Sequence, residues 1–394
     1  MNFHSVLPRN LVCPERSFFL FGPRGTGKST WLRQALADAH RLDLLDASLY
    51  LELTRDPHRL EAIVGPRPAG TWVVLDEIQK VPALLDEVHR LIEARRWRFA
   101  LCGSSARKLR RGGANLLAGR ALTLGIEGFN AAELGAQFDL SVALEWGTLP
   151  FVALAGTEAP DILAAYVNTY LKEEIREEGL IRQVPPFVRF LGVAGQLNGQ
   201  AVNGHNIARE AAVPRTTVDT YFTILTDTLL GHFLPPWRPG LKVRETAHPK
   251  FYWFDPGVAR AAAGLLRDPV DRVWLGTALE TLIYHELRVH NENSRQHRPI
   301  AHYRTSSGVE VDFVIETRKR QSGQPAQVVA IEVKLAEKWD RSWEKPMREL
   351  ATQTGLKVER AFGIYTGTRS YEYDGLRVLP VAEFLTALNQ GEVF

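Results

Sequence analysis

Thiols are scarce in this chain: Cys13 and Cys102 are the two cysteines among 394 residues. They stand far apart and without metal-ligand spacing, which excludes a disulfide framework and a cysteine-bound metal and fits a reducing compartment. No run approaches the roughly 18 apolar residues that cross a bilayer. The opening stretch MNFHSVLPRNLVCPERS lacks the basic start and apolar core of a signal peptide, so a soluble, cytoplasmic chain is expected. Charge of one sign is also missing. Lysine plus arginine number 48 against 45 acids, a net +3 that makes no global case for a nucleic-acid or membrane partner and requires any basic face to be local. Lysine itself is rare, 11 residues against 37 arginines, so a lysine inside a motif carries extra weight.

What is present is an ordinary globular composition, 45% hydrophobic and 24% charged, which excludes wholesale disorder and collagen-like repeats. At about 150 residues per domain the length predicts two or three domains.

The run SFFLF at 17–21 is strand-like, GPRGTGKST follows at once, and LRQALADAH has helical spacing. Strand, glycine loop and helix are the one context in which G-x-x-x-x-G-K-S/T has mechanical meaning. Backbone N–H groups of Gly22, Pro23, Arg24, Gly25, Thr26, Gly27, Lys28, Ser29 and Thr30, those that carry a hydrogen, surround the phosphates of ATP. Lys28 reaches the β and γ oxygens and Ser29 holds Mg2+. The second acidic site comes from TWVVLDEIQK: 72–75 is a strand buried on both faces, and Asp76 and Glu77 stand at its carboxyl end, Asp76 for the metal shell and Glu77 to polarise the attacking water. A helix at 83–94 and a strand at 98–102 follow. Ser104, at that strand's tip, senses the γ-phosphate or caps the next helix; both readings stand. Between 107 and 120 come Arg107, Lys108, Arg110, Arg111 and Arg120 with no acid, a local +5. This is either a phosphate-contacting surface or a solvated helix face.

FGPRGTGKST, VVLDEIQK and the GSS strand end, in that order, resemble AAA+-type P-loop ATPases of the group with an additional acidic strand. The resemblance implies a parallel sheet in the order 5-1-4-3-2, a helical lid, and nucleotide bound between subunits of a ring, a hexamer by expectation. Arg120, just before the last strand of that core, falls where such proteins place the arginine that reaches a neighbour's site.

The stretch 148–183 reads as helical and resembles the lid. Beyond it, NIAREA and RTTVDTYFTIL flank a turn at 211–214, the layout of a winged helix-turn-helix. Over 204–230 Arg209 and Arg215 face Glu210, Asp219 and Asp227, net −1. Over 232–250 Arg238, Lys242, Arg244 and Lys250 face Glu245, net +3. The wing is therefore more basic than the recognition helix, and duplex or branched DNA contact and interdomain packing both remain open.

In the last third a helix at 275–290 presents Glu280 and Glu286. HYRTSSGVEVDFVIE reads as one strand with Glu310 and Asp312 on one face. After a polar turn at 319–325, VVAIEVKLAEK reads as its partner, with Glu332 and Lys334 on one face and Val329, Ile331, Val333 and Leu335 opposite. Two carboxylates can hold Mg2+ while Lys334 stabilises developing charge and Glu280 completes the shell; the bland alternative is a solvent face. GxxxE at 276–280, VDF at 311–313 and IEVK at 331–334 resemble the PD-(D/E)xK nuclease superfamily. With KFYWFDPG and the upstream motifs, the chain resembles ATPases of bacteria and archaea that end in such a domain. One departure is Val311, where a proline often precedes the aspartate.

The expected fold is thus α/β in four parts: an AAA+ core at 1–147, a lid at 148–184, a winged helix at 185–249 and a nuclease-like α/β domain at 250–394. The expected function is an oligomeric ATPase that couples hydrolysis to DNA binding and remodelling, by translocation or branch migration, with a last domain that grips DNA; Mg2+-dependent cleavage by that domain and binding without cutting both stay open. A nucleotide-dependent switch acting on a protein partner and an ATP-gated defence or toxin nuclease are the alternatives.

Overall fold

Short runs of aromatic and β-branched residues build three sheets among the described residues, which in this computed structural model are 7–104, 109, 117, 119–171, 181, 184–237, 248–305, 308–321 and 323–394. The basic residues Arg107, Lys108, Arg110 and Arg111 and the wing residues Arg238, Lys242 and Arg244 lie outside the described residues. The chain divides into two units, Met1–Phe129 with Leu225–Leu230, and Asn130–Ile224 with Gly231–Phe394.

The first unit carries β1 (Phe18–Phe21), β2 (His40–Asp43), β3 (Trp72–Asp76), β4 (Arg98–Gly103) and β5 (Leu122–Gly125), all parallel, in the order β2-β3-β4-β1-β5. Read from the other edge this is 5-1-4-3-2. The central strands are apolar at every position because both faces are covered. Phe19, Val73, Leu75, Phe99 and Leu101 pack with Leu84, Val88 and Leu91 of the helix Leu84–Arg95. Phe18, Leu20, Val74, Ala100 and Cys102 pack with Trp31 and Leu32 of the helix Lys28–Ala35. The period of two in each strand assigns the residues to these two cores. Arg41 ties the second helix down by donating to the carbonyls of Leu32 (2.8 Å) and Leu36 (2.5 Å). Since all strands run the same way, the loop after β1, the end of β3 and the end of β4 share one edge of the sheet.

The second unit begins with short helices, Ala131–Leu134, Leu140–Trp146, Pro150–Ala153 and Ala159–Ala165, then a π-helical turn Tyr166–Leu171. The helical stretch expected at 148–183 is thus broken into pieces, and 172–180 lies outside the described residues. All seven residues of the helix Pro256–Ala262 are buried. A Cβ on Gly257 would stand 1.9 Å from the Trp146 carbonyl oxygen, so only glycine allows this approach. Asp255 joins the two helices: one oxygen caps the second by accepting from Val258 N (3.0 Å), and the other accepts from Thr148 N (2.7 Å) just past the end of Leu140–Trp146.

Next come the helix Val184–Gln196, β6 (Gln200–Ala201), the helices Gly204–Glu210 and Arg215–Asp227, β7 (Gly231–Leu234) and β8 (Lys250–Trp253). The sheet is antiparallel in the order β6-β8-β7. Asn203 caps the first of the two helices through His205 N (3.1 Å) and Asn206 N (3.2 Å), and the turn at 211–214 separates them. The boundary expected at 249/250 falls inside this sheet, where β8 is the central strand.

The last sheet has β9 (Ile300–Arg304), β10 (Glu310–Arg318), β11 (Gln327–Lys334), β12 (Lys357–Tyr365), β13 (Tyr371–Tyr373) and β14 (Leu376–Pro380), in the order β13-β14-β12-β11-β10-β9. The single strand expected over 302–316 is instead two antiparallel strands, because Thr305 N donates to Val309 O (2.9 Å) and Gly308 takes φ 86, closing a hairpin that a period-two pattern conceals. The β9–β10 register then shifts between Val311 and Val314, around Asp312. The helix Arg272–Asn293, capped by Asp271 through Trp274 N (2.7 Å), packs Leu279, Leu282 and Ile283 against Val329, Ile331 and Val333.

Asp255→Ala removes a cap and strands a buried backbone donor, so it should lower the unfolding free energy by about 1–3 kcal/mol. Urea titration followed by circular dichroism measures this; a change below a few tenths of a kcal/mol would contradict the role.

Candidate functional site

At the shared edge of the first sheet, the loop after β1 rises into the helix Lys28–Ala35. Gly25 (φ 83) and Gly27 (φ 85) hold backbone conformations that favour glycine, and a Cβ on Gly22 would meet the Ile126 carbonyl oxygen at 2.0 Å. Thr26 Oγ1 donates to Pro23 O (2.8 Å), and the buried Lys28 ammonium donates to the carbonyls of Gly22 (2.8 Å) and Pro23 (2.9 Å). These bonds shape the loop and keep Lys28 at its mouth.

Ser29 Oγ donates to Asp76 Oδ2 at 2.7 Å, so the helix after the loop is joined to the end of β3. A hydroxyl and a carboxylate so placed fit a magnesium-type ion that takes one or two protein oxygens and leaves other positions to phosphate and water. Glu77 sits in the left-handed region (φ 59), a costly conformation for this residue type that turns the chain away as β3 ends. Gln79, buried in the turn Ile78–Lys80, donates from Nε2 to Glu77 Oε2 and also reaches Ser104 Oγ (3.3 Å). A Cβ on Gly103 would meet Gln79 Oε1 at 2.3 Å, so the glycine makes room for the amide. Gln79 is the residue that sequence reading missed; its signal is its place two residues after Glu77 in DEIQK. Cys102 lies beside Asp76, and burial pushes its thiol well above the ordinary value, with the Asp76 charge adding to the shift.

Arg120 stands elsewhere in its own chain. It precedes β5, at the opposite end of the strands from the glycine loop, and its Nε donates to Glu93 Oε1 at 2.6 Å on a solvent-exposed surface.

A second constellation lies in the second unit. Asp312 and Glu332 are buried, Asp312 Oδ2 accepts from Val333 N (2.8 Å), and Lys334 Nζ pairs with Glu332 Oε1 and lies 3.8 Å from Asp312 Oδ2. The three residues that the sequence places on neighbouring strands thus stand together. Sequence reading missed Lys250, whose ammonium lies 2.5 Å from Glu310 Oε1, 3.8 Å from Glu280 Oε2 and 4.0 Å from Asp312 Oδ1. Tyr252, two residues along β8 and therefore on the same face, donates to Glu280 Oε2 at 3.0 Å. Glu280 is thus engaged by Tyr252 and Lys250. Glu286 is remote from the cluster: it accepts from Ala131 N (2.7 Å), and burial raises its pKa to about 7. Glu332 Oε2 is buried with no hydrogen-bond partner among the described residues. No group of three His, Cys, Asp or Glu residues poised for a metal is found among the described residues. Asp312 and Glu332 supply two hard oxygens, the number a magnesium-type ion takes when water fills its remaining positions.

The AAA domain family model matches residues 14–135. Two models described as domains of unknown function, DUF8612 and DUF4143, match residues 137–268 and 275–384. No curated protein matches the chain. Among solved structures, the ORC2 protein of Aeropyrum pernix in ADPNP–ADP complexes aligns at 13% identity over 64% of this chain and 87% of its own, with a TM-score of 0.39. The ORC1 protein of the same organism in complex with DNA aligns at 14% over 63% and 86%, TM-score 0.27. A Vibrio cholerae protein aligns at 11% over 96% and 97%, TM-score 0.22. The first unit contains an AAA-type P-loop domain. No helix among the described residues is long and apolar enough to cross a membrane.

Burial, reinforced by the Asp312 charge, raises Glu280 to about 7 and Glu332 to about 8. The folded chain keeps these protons at pH values where the unfolded chain, titrating near 4.5, has lost them. Their contribution to stability is therefore complete below about pH 4.5 and declines as pH rises through about 8. Glu332→Gln lacks this decline. In EDTA its stability relative to the native chain should gain on the order of 1–3 kcal/mol between about pH 5 and pH 8.5, read by thermal melts across that range; a pH-independent difference would contradict the assignment.

Proposed function

We propose that the chain is an oligomeric ATPase that couples ATP hydrolysis to binding and remodelling DNA. The observation that carries the first part is the convergence of Lys28, the Ser29–Asp76 pair and the Glu77–Gln79–Ser104 chain at one sheet edge. In this reading the loop 22–30 binds the phosphates, Lys28 moves from its loop carbonyls to the β and γ oxygens, and Ser29 and Asp76 hold Mg2+, which supplies charge neutralisation when bound. Glu77 orients the attacking water and Ser104 contacts the γ-phosphate. Gln79 positions Glu77. Arg120, exposed and paired with Glu93 in its own chain, serves a neighbouring subunit in a ring.

The DNA part rests on residue chemistry: the local +5 of Arg107, Lys108, Arg110, Arg111 and Arg120, and the basic wing of Arg238, Lys242 and Arg244. The order helix, short strand, two helices, two strands, with β8 central, supports a winged-helix module. A second reading, Mg2+-dependent phosphodiester cleavage by a PD-(D/E)xK-like site, is favoured by the buried Asp312 and Glu332 with the half-buried Lys334 beside them and by the orphaned Glu332 Oε2. Asp312 and Glu332 would hold the ion, and Lys334 would stabilise the developing anion.

Glu77→Gln should bind ATP with little change in Kd and lose hydrolysis by about a hundredfold or more. Gln79→Leu should lower kcat about tenfold or more with KM nearly unchanged, as expected when only the transition state loses support. Arg120→Ala should lower turnover about a thousandfold while sparing nucleotide binding. Turnover measured across single-stranded, duplex and four-way DNA should be stimulated, with stimulation falling as salt rises. An ATPase indifferent to DNA of every shape would remove the DNA part of the proposal.

A further inference from the structure

The carboxylate cluster contains two lysines, and they are not equivalent. Lys334 belongs to β11 and pairs with its own strand's Glu332. Lys250 comes from another sheet, as the first residue of β8, and its side chain is 7% exposed. Its ammonium is surrounded by Glu310, Glu280 and Asp312, at 2.5, 3.8 and 4.0 Å. Three carboxylates gathered around one buried positive charge are the kind of oxygen set that a hard cation collects.

The charge count of the cluster points the same way. Glu280, Glu310, Asp312 and Glu332 are met inside it by Lys250 and Lys334. Arg304, half-exposed, touches Glu310 Oε2 only from outside, at 3.6 Å. His302, buried beside Lys250, has its pKa lowered to about 4 by burial and by that ammonium, so it adds no charge near neutral pH. Once a bound cation has displaced the protons of Glu280 and Glu332, four carboxylates against two ammonium groups leave the charge of one divalent ion to be matched. The unpartnered buried oxygen, Glu332 Oε2, belongs to the Lys334 side of the cluster. Hydrolytic centres with two metals place the ions about 3.5–4 Å apart on a shared carboxylate. Here Asp312 is the shared carboxylate: Oδ2 faces Lys334 and Oδ1 faces Lys250.

We propose that Lys250 is a tethered cation standing where a second metal ion would sit, so that the cluster takes one divalent ion, on Asp312 and Glu332, rather than two. This rests on the cleavage-site reading of the cluster, and the test separates the two. Mn2+ alone is titrated into the full chain without nucleotide, by calorimetry and by electron paramagnetic resonance, with Asp312→Asn as the blank. The native chain is expected to bind one ion above the blank. Lys250→Met, similar in volume, is expected to bind two, and Lys250→Arg, which keeps the charge, one. If Lys250→Met misfolds by circular dichroism, Lys250→Gln takes its place with the same expectation. A native chain that binds no ion above the blank defeats the cleavage-site reading. A native chain that binds one, with one also in the neutral Lys250 variants, overturns the role given to Lys250 and leaves the metal site standing.

Discussion

Parallel pairing of β1 with β4 and of β4 with β3 is the constraint on which the nucleotide edge depends. It aligns the carboxyl ends of three strands whose tips are far apart in sequence, and the Ser29–Asp76 bond of 2.7 Å is possible only with that alignment. The aromatic content of β1 serves the same end. Phe18 and Phe19 face opposite cores, so both flanking helices hold the strand in place and the loop that follows it has a rigid base. The left-handed backbone of Glu77 adds a local cost of order 1 kcal/mol, which this packing offsets, and Gln79 then selects one position for the carboxylate.

The carboxylate cluster of the second unit is governed by the opposite balance. Desolvation penalises every charge there, and each is retained only with a partner: Glu310 with Lys250, Glu332 with Lys334, Asp312 with the Val333 amide and both lysines. Burial, reinforced by the Asp312 charge, shifts Glu280 and Glu332 upward. Uncompensated buried charge is poor for stability and useful for binding a cation, and the same residues express both.

Legibility in the sequence followed the range of the interactions. The glycine loop, Asp76, Glu77 and Ser104 were readable because each is defined by a strand end and its next few residues, and the observed strands begin and end within a residue or two of the hydrophobic runs. Asp312, Glu332 and Lys334 were readable because the two strands are neighbours in the chain. Lys250 was not: by composition it counted as one more basic residue near the wing, and only the placement of β8 turns it into the cluster. Gln79 carries no role in the sequence pattern because its partners are a strained glutamate and a serine 25 positions on. The run at 302–316 misled because both arms of a hairpin alternate with the same period, and a single glycine at 308 breaks it.

Lys250 belongs to the backbone ladder of one sheet and to the electrostatics of another. A fragment cut after β8 would keep Glu280, Glu310, Asp312 and Glu332 with Lys334 as their only internal lysine. A cut at 249/250, the boundary drawn from the sequence, has the opposite effect: it keeps Lys250 with the carboxylates and removes the central strand from the sheet β6-β8-β7, so one strand serves two neighbours and no single cut satisfies both.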